Sequence, residues 1–161
     1  MEGRQSVPGA VIVVSDRCLN GEREDTAGPA AVAALAEYGV EVEEVILVPE
    51  GMDELTAQLR AALAAGVRVI ITAGGTGVGP RNFTPEATKP LLELELPGVA
   101  TQILLAGLAF TPQAGLSRGL VGLTGRGPDA AVILNAPSSR GGVQDAVGVL
   151  GPLLPRLLDK D

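Results

Sequence analysis

The stretch VRVIITAGGTGVGPRNFTPEAT, residues 67–88, decides the fold of this 161-residue chain. Its β-branched run at 69–72 lacks the polar alternation of a half-exposed strand, which is typical of a strand buried in a parallel sheet. The turn Gly74-Gly75-Thr76-Gly77 follows at once, and its glycines permit positive φ and close approach to a ligand. Thr84 is predicted to cap the next helix, with Pro85 at the first helical position. Together these features predict an anion site in an open α/β sheet.

The same turn has a plainer interpretation, as a mere connection between strand and helix, and local features leave both interpretations open. Two stricter phosphate motifs fail. A Walker A loop needs Gly-Lys-Ser/Thr after four residues, and Gly79-Pro80-Arg81 stands there instead. The dinucleotide fingerprint needs a third glycine where Pro80 stands. A site for some other nucleotide or phosphate ester stays open.

The composition limits the partners and the compartment. The net charge of −7 argues against a general nucleic-acid binder, because a polyanion needs a basic surface. No apolar run approaches the length of a membrane span, and the N-terminal residues lack the pattern of a signal peptide. Cys18 is the single cysteine, which excludes an intrachain disulfide. We expect a cytoplasmic protein that binds small molecules, with no membrane or nucleic-acid partner.

Histidine is absent from the chain, and this excludes several kinds of catalysis. Ser-His-Asp and Cys-His catalysis are impossible, and the usual zinc sites are excluded as well because only one cysteine exists. Residues 115–119 match the hydrolase pattern G-x-S-x-G. That motif needs a histidine base, so Ser117 is not a hydrolase nucleophile.

Strand-like and helix-like segments alternate over most of the chain. The strand-like segments are 9–16, 40–48, 69–72, 120–124 and 130–136. One helical segment ends near residue 38, and the others cover 52–64, 85–94, 97–110 and the C-terminal region. This order predicts an α/β fold with a mainly parallel sheet, helices on both faces and one antiparallel strand in a late hairpin. Segment 97–110 has little polar surface, which is typical of core or of a subunit interface. Pro152 and Pro155 should kink or split the last helix.

Polar residues follow several predicted strands, and the carboxyl ends of parallel strands share one edge of a sheet. Each of these residues could instead serve a turn or a helix cap. If the loops converge, they combine carboxylates for Mg²⁺ with cations for phosphate. The carboxylates are Asp16, Glu50 and Asp25, and the cations are Arg81, Arg118 and Arg140.

Motifs along nearly the whole chain, in the same order, resemble the MogA/MoaB group of molybdenum-cofactor biosynthesis proteins. The central match, to the signature GGTG…RD.TPEAT, consists of Gly74 to Gly77, Pro80-Arg81-Asn82 and Thr84-Pro85-Glu86-Ala87-Thr88. Further matches are Ser15-Asp16-Arg17, Gly21, Asp25 with Gly28, Pro97-Gly98, Leu116-Ser117-Arg118-Gly119 and Asn135 with Pro137.

The resemblance implies a three-layer α/β fold in a single molybdopterin-binding domain over residues 1–161, with residues 1–8 flexible. It implies a homotrimer or hexamer with molybdopterin adenylyltransferase activity. Such an enzyme uses Mg-ATP to adenylate the terminal phosphate of molybdopterin and releases pyrophosphate. The adenylylated pterin then serves a partner enzyme that inserts molybdate.

The resemblance also assigns roles to residues by motif position. Asp16, Glu50 and Asn82 are the catalytic residues, with Mg²⁺ on Asp16 and Glu50. The nucleotide and the pterin contact a larger set: Ser15, Gly74, Gly75, Thr76, Gly77, Arg81, Thr84, Ser117, Arg118, Asn135, Pro137, Ser138 and Arg140.

The chain departs from the family pattern at several of these positions. Asn82 and Glu50 each stand where the family has aspartate, and Ser138 stands where it has glycine. The acid usual after Pro97-Gly98 is absent. Asn82 keeps a carbonyl acceptor but loses the negative charge, which weakens the attraction for a metal ion. A binding-only or weakly active relative is therefore the alternative to an enzyme. A ligand-free structural oligomer is a third hypothesis, which only segment 97–110 supports.

Overall fold

The structure, a computed structural model, describes residues 6–159. Its strands are β1 (Val7–Val14), β2 (Val40–Val48), β3 (Val69–Ala73), β4 (Leu94–Glu95), β5 (Val121–Leu123) and β6 (Val132–Ala136). Its α-helices are α1 (Asp16–Leu19), α2 (Ala27–Ala36), α3 (Asp53–Ala64), α4 (Thr84–Thr88), α5 (Pro97–Leu108), α6 (Arg140–Leu150) and α7 (Leu154–Leu158). Short 3₁₀ segments lie at Lys89–Leu91, Pro112–Leu116 and Gly151–Leu153.

The strands form one six-stranded sheet in the order β2-β1-β3-β6-β5-β4. The first four strands of this order run parallel, and β5 runs antiparallel to both of its neighbours. In this order β2 lies beside β1 on one side, and β3, the next strand along the chain, lies beside β1 on the other side. The fold class predicted from the sequence, mainly parallel with one antiparallel strand, is therefore confirmed.

Alternate residues of the central strands face opposite sides of the sheet, as the two-residue period of a strand requires. Val11 and Ile71 point into a core that α2 and α6 cover, whereas Ile12 and Ile70 point into a second core under α3. Helices on both faces give the expected three layers. Because both faces of these central strands are buried, their sequences are continuous apolar runs.

Two sequence expectations need correction, and a third is confirmed. The helix predicted over 85–94 ends at Thr88, because Pro90 lacks the N–H of a continuing helix and the chain tightens into the 3₁₀ segment. The segment predicted to be flexible, residues 1–8, is too long, because Val7 and Pro8 already belong to β1 and pair with β2. Residues 1–5 lie outside the described part. The split of the last helix is confirmed, with a 3₁₀ segment between α6 and α7.

Helix α5 packs against the core through Val99, Ala100 and Ile103, which are only partly buried. None of its 12 residues is buried in the described structure. Leu105 is 61% exposed, and Phe110, just beyond the helix, is 80% exposed. The segment therefore lies at the edge of the core with one side, and a subunit interface on its exposed side stays a prediction. Across residues 6–159, no helix has both the length and the apolar character needed to cross a membrane.

Candidate functional site

Four loops leave the sheet at the same edge, where the parallel strands β1, β2, β3 and β6 end. They begin at Ser15, Pro49, Gly74 and Pro137. The order of the chain reverses around β1, so a crevice opens outside the ends of β1 and β3, where open α/β sheets bind ligands. The topology thus brings together the loops on which the sequence placed a site.

The glycine turn follows β3 and has the backbone that the sequence predicted. Gly74 and Gly75 have φ of +104° and +71°. A Cβ on Gly74 would collide with the carbonyl oxygen of Val14, and one on Gly75 with the hydroxyl of Thr84. Only glycine allows both the backbone conformation and this close approach.

Thr84 does not cap α4, contrary to the prediction. It is the first residue of the helix, and its buried hydroxyl donates to the carbonyl oxygen of Gly74 at 2.9 Å. Its backbone N–H donates to the carbonyl oxygen of Gly75 at 3.1 Å. Thr84 therefore fixes the shape of the turn from beneath and has no hydroxyl hydrogen left for a ligand.

Asp16 and Arg81 form the charged centre of the site. Arg81 Nε and Nη2 donate to Asp16 Oδ2 and Oδ1 at 3.0 and 3.2 Å, so the pair is bidentate. Arg81 Nη2 also donates to the carbonyl oxygen of Glu50 at 2.7 Å. The backbone N–H of Glu50 in turn donates to Asp16 Oδ1 at 3.0 Å. The loops after β1, β2 and β3 are thereby joined.

Asn82 completes this cluster through its side-chain amide. Its Nδ2 donates to Glu50 Oε1 at 3.2 Å, and its Oδ1 accepts from the backbone N–H of Gly79 at 3.2 Å. An aspartate in the same place could accept from Gly79 but could not donate to Glu50. Both polar atoms of the Asn82 side chain are therefore hydrogen-bonded, and an aspartate could reproduce only one of the two bonds.

The proximity of Arg81 lowers the pKa of Asp16 from its ordinary value of 3.8, and the backbone N–H of Glu50 adds to that effect. Asp16 in turn raises the pKa of Arg81. Both side chains stay charged at neutral pH. With side-chain exposures of 58% for Arg81 and 32% for Asp16, a phosphate group could reach the guanidinium from solvent.

The donor set fits a magnesium ion only in combination with a substrate. Among residues 6–159 no group of three or more Asp, Glu, His or Cys side chains could hold a metal ion. Mg²⁺ is commonly held by one or two carboxylates plus substrate phosphates, and Asp16 and Glu50 can supply those carboxylates. Arg81 already occupies both oxygens of Asp16. Glu50 Oε2 is the freer ligand, because its contact with the Asp16 N–H is long at 3.5 Å.

The segment that contains Ser117 and Arg118 lies against the other side of the glycine turn. Ser117 Oγ donates to the Thr76 hydroxyl at 3.3 Å. Arg118 Nε donates to the carbonyl oxygen of Gly77 at 2.9 Å. These residues lie beside the loop that carries Arg81, as the sequence predicted, although Arg118 contacts the backbone of that loop rather than the charged centre.

Asn135 is 4% exposed and lies below the site, in the sheet. Its Nδ2 donates to the hydroxyls of Thr72 and Thr88 at 3.0 and 2.9 Å, and its Oδ1 accepts from the N–H of Leu120 at 3.3 Å. All of its polar atoms thus bind other parts of the chain. The predicted contact between Asn135 and a ligand stays a prediction, and its observed contacts join β3, β6 and α4.

The remaining predicted residues are placed at two different locations. Ser15 caps α1 by accepting from the N–H of Cys18 at 3.1 Å, and exposed Ser138 follows Pro137 beside Gly74. Arg140 instead lines a separate groove between α2 and α6, which also contains Asp25. Asp25 Oδ1 accepts from the N–H of Gly28 at 2.9 Å, so it serves the start of α2.

Sequence reasoning missed the roles of Glu86 and of the buried threonines. Glu86 pairs with Arg118 at 2.7 Å, although 32 positions separate them. No periodic pattern predicts a contact between segments so far apart. Thr72 did carry a signal, since a hydroxyl in a fully buried strand must find a hydrogen-bond partner.

Comparisons with known proteins identify relatives of this chain. Residues 10–156 match the family described as "Probable molybdopterin binding domain". The Drosophila melanogaster molybdenum cofactor synthesis protein cinnamon is 36% identical over 153 residues, which are 94% of this chain and 25% of that protein. The molybdopterin adenylyltransferase of Helicobacter pylori is 27% identical over an alignment of 164 positions, which covers 96% of this chain and 88% of that protein.

A solved structure extends the agreement to the fold. The molybdopterin biosynthesis enzyme MoaB from Thermus thermophilus superposes with a TM-score of 0.84 at 39% identity, over 96% of this chain and 95% of that one. Several curated relatives are longer, and the chain spans 21% to 45% of their length. The chain belongs to the MogA/MoaB family of molybdenum cofactor biosynthesis proteins.

Proposed function

We propose that the chain is a molybdopterin adenylyltransferase. It joins the α-phosphate of ATP to the terminal phosphate of molybdopterin and releases pyrophosphate. The observation that carries the proposal is the cluster of Asp16, Glu50, Arg81 and Asn82 beside the glycine turn, at the ligand-binding edge of the sheet. Relatives of similar length are named molybdopterin adenylyltransferases, which supports the same reaction.

In this reaction the terminal phosphate of molybdopterin attacks the α-phosphorus of ATP, and the pyrophosphate leaves with its bonding electrons. Catalysis of such a transfer consists mainly of positioning and charge stabilisation. Arg81 lies at the crevice, where Asp16 holds it before substrate binds, and it stabilises phosphate charge. The positive-φ glycines let the backbone approach a phosphate closely. Thr76, Gly77, Ser117 and Ser138 line the substrate side.

The reaction would use Mg-ATP, and Glu50 and Asp16 are the residues that would hold the Mg²⁺. The ion neutralises negative charge on the phosphates when bound. Glu50 supplies a carboxylate oxygen at the end of β2, and Asn82 Nδ2 holds the other oxygen of that carboxylate in place. A substrate phosphate that draws Arg81 away would free Asp16 as the second carboxylate.

A binding-only relative is the second candidate function, and Asn82 favours it. Its uncharged amide donates a hydrogen bond to one oxygen of Glu50, where an aspartate would add negative charge for a metal ion. Such a protein binds molybdopterin but releases no pyrophosphate. Efficient turnover would exclude it.

The chain acts in the cytoplasm as a homotrimer, with a hexamer as the alternative, and passes its product to an enzyme that inserts molybdate. Helix α5 supports the assembly, because Leu104, Leu105 and Leu108 are exposed along it. Exposed apolar side chains in such a group are typical of a surface that another protein covers.

The test is an adenylylation assay on purified protein with molybdopterin, ATP and Mg²⁺. We expect adenylylated molybdopterin and pyrophosphate in equal amounts, with neither formed when molybdopterin or Mg²⁺ is omitted. Calorimetry with each substrate is measured in parallel. Binding of molybdopterin without pyrophosphate release would support the binding-only function, and binding of neither substrate would contradict both candidates.

A further inference from the structure

Arg118 lies outside the cluster around Asp16, yet it contacts both ends of the loop that carries Arg81 and Asn82. Its Nε donates to the carbonyl oxygen of Gly77 at 2.9 Å, and its Nη2 donates to the carbonyl oxygen of Asn82 at 3.0 Å. Its backbone N–H donates to the carbonyl oxygen of Thr76 at 2.8 Å. One side chain therefore spans the loop 77–82 from its first residue to its last.

Glu86 fixes the orientation of this guanidinium from the other side. Arg118 Nη1 donates to Glu86 Oε2 at 2.7 Å, and Nη2 donates to Oε1 at 3.3 Å. These bonds and those to Gly77 and Asn82 engage four of the five N–H groups of a guanidinium. Little hydrogen-bonding capacity is left for a phosphate, so the contacts indicate a geometric role. The pair is 39% and 45% exposed, and such surface pairs contribute little to stability by themselves.

The loop 77–82 has few other contacts that fix it. Its internal bonds run from the Asn82 N–H to the carbonyl oxygen of Gly79 and from the Gly79 N–H to Asn82 Oδ1. Both keep the loop in a tight turn without attaching it to the rest of the fold. The attachment to the fold comes from Arg118 on one side, and from Arg81 and the Asn82 amide on the other.

We propose that Arg118, oriented by Glu86, is a positioning residue that holds the loop 77–82 in the geometry of the reactive site. The backbone of Asn82 binds Arg118 while its side chain binds Glu50. Movement of the loop would displace both the Asn82 amide and the neighbouring Arg81. The contacts that hold the loop do not depend on the proposed function, whereas the effect on turnover rests on it.

The first test measures amide hydrogen exchange in the ligand-free protein, for the wild type, Arg118→Lys, Glu86→Gln and the double variant. We expect exchange in the loop 77–82 to rise about tenfold in each single variant, which is the effect of losing one or two hydrogen bonds. The double variant should exchange no faster than the more affected single one, because both act through one contact. Arg126→Lys changes a comparable surface pair, Arg126 with Glu93, and should leave the loop unaffected. Unchanged exchange in both single variants would overturn the proposal.

The second test separates positioning from phosphate binding by steady-state kinetics. We expect kcat to fall about tenfold in Arg118→Lys and in Glu86→Gln, with a smaller change in the KM for ATP. If Arg118 were a phosphate ligand, its lysine variant would raise the KM for ATP and Glu86→Gln would leave both constants unchanged, which contradicts the proposal. Absence of turnover in the wild type would contradict the proposed function, while the exchange data would still decide the role of Arg118.

Discussion

Asn82→Asp is the substitution that most sharply separates the two candidate functions. It keeps the acceptor for the N–H of Gly79 and removes only the Nδ2 donor, which lies 3.2 Å from Glu50 Oε1. The lost hydrogen bond costs about 1 kcal/mol. Two unit charges at that separation repel by about 1.3 kcal/mol in water and by about 5 kcal/mol at an effective dielectric of 20. Because both side chains are half-buried and can turn apart, we expect a loss of about 2 kcal/mol in the free energy of unfolding without metal.

Added Mg²⁺ should reverse this loss, because the variant gathers three carboxylates where the wild type has two. Thermal unfolding measures both effects. We expect the Tm of Asn82→Asp to fall by roughly 4–8 °C without Mg²⁺ and to recover with saturating Mg²⁺. The turnover of the variant should rise about tenfold if metal charge limits the reaction. Gln113→Glu, which adds the same charge at an exposed position, should show neither effect. Wild-type stability of Asn82→Asp without Mg²⁺, or stabilisation by Mg²⁺ no greater than that of Gln113→Glu, would refute this role of Asn82.

Three further predictions concern the turn, the charged pair and α5. Gly75→Ala should cost about 3 kcal/mol in urea unfolding, against about 1 kcal/mol for Gly21→Ala. The two positions have similar φ, but only Gly75 lies against Thr84, so equal losses would contradict the close contact. Since the pKa of Asp16 is lowered from 3.8, its stabilisation is full above that pH and is lost as the pH falls through the lower folded value. The stability difference between the wild type and Asp16→Asn should therefore be constant from about pH 5 to 8 and shrink below about pH 3.8, and a change near neutrality would contradict the assignment. Leu105→Glu should lower the mass measured by light scattering to that of a single chain, and an unchanged mass would exclude α5 as the interface.

The centre of the sheet could be predicted because β3 and β6 and most of β1 are buried on both faces and so read as unbroken apolar runs. The site was predictable to the level of loops, since parallel strands place Asp16, Glu50 and Arg81 at one edge whatever the details of packing. The glycine turn was also predictable, because positive φ restricts the residue type.

Side-chain partners across the fold could not be predicted. The Thr84 hydroxyl follows the usual capping pattern in sequence, but the turn at Gly75 brings the carbonyl oxygen of Gly74 within its reach. The pairing of Arg118 with Glu86 depends on two loops that approach only after folding. Helix α5 was ambiguous for a different reason. Apolar composition predicts that a surface is covered, but not whether the same chain or another covers it.

The central claim is that the cluster at the ends of β1, β2 and β3 transfers an adenylyl group. The most direct measurement is the rate of formation of adenylylated molybdopterin by the wild type and by Glu50→Gln under identical conditions. Glu50→Gln keeps an acceptor for the Asn82 amide and removes the carboxylate charge. We predict Mg²⁺-dependent product from the wild type and a rate at least about 100-fold lower from Glu50→Gln. Equal rates would contradict the assignment of the site, and the absence of product from the wild type would contradict the proposed reaction.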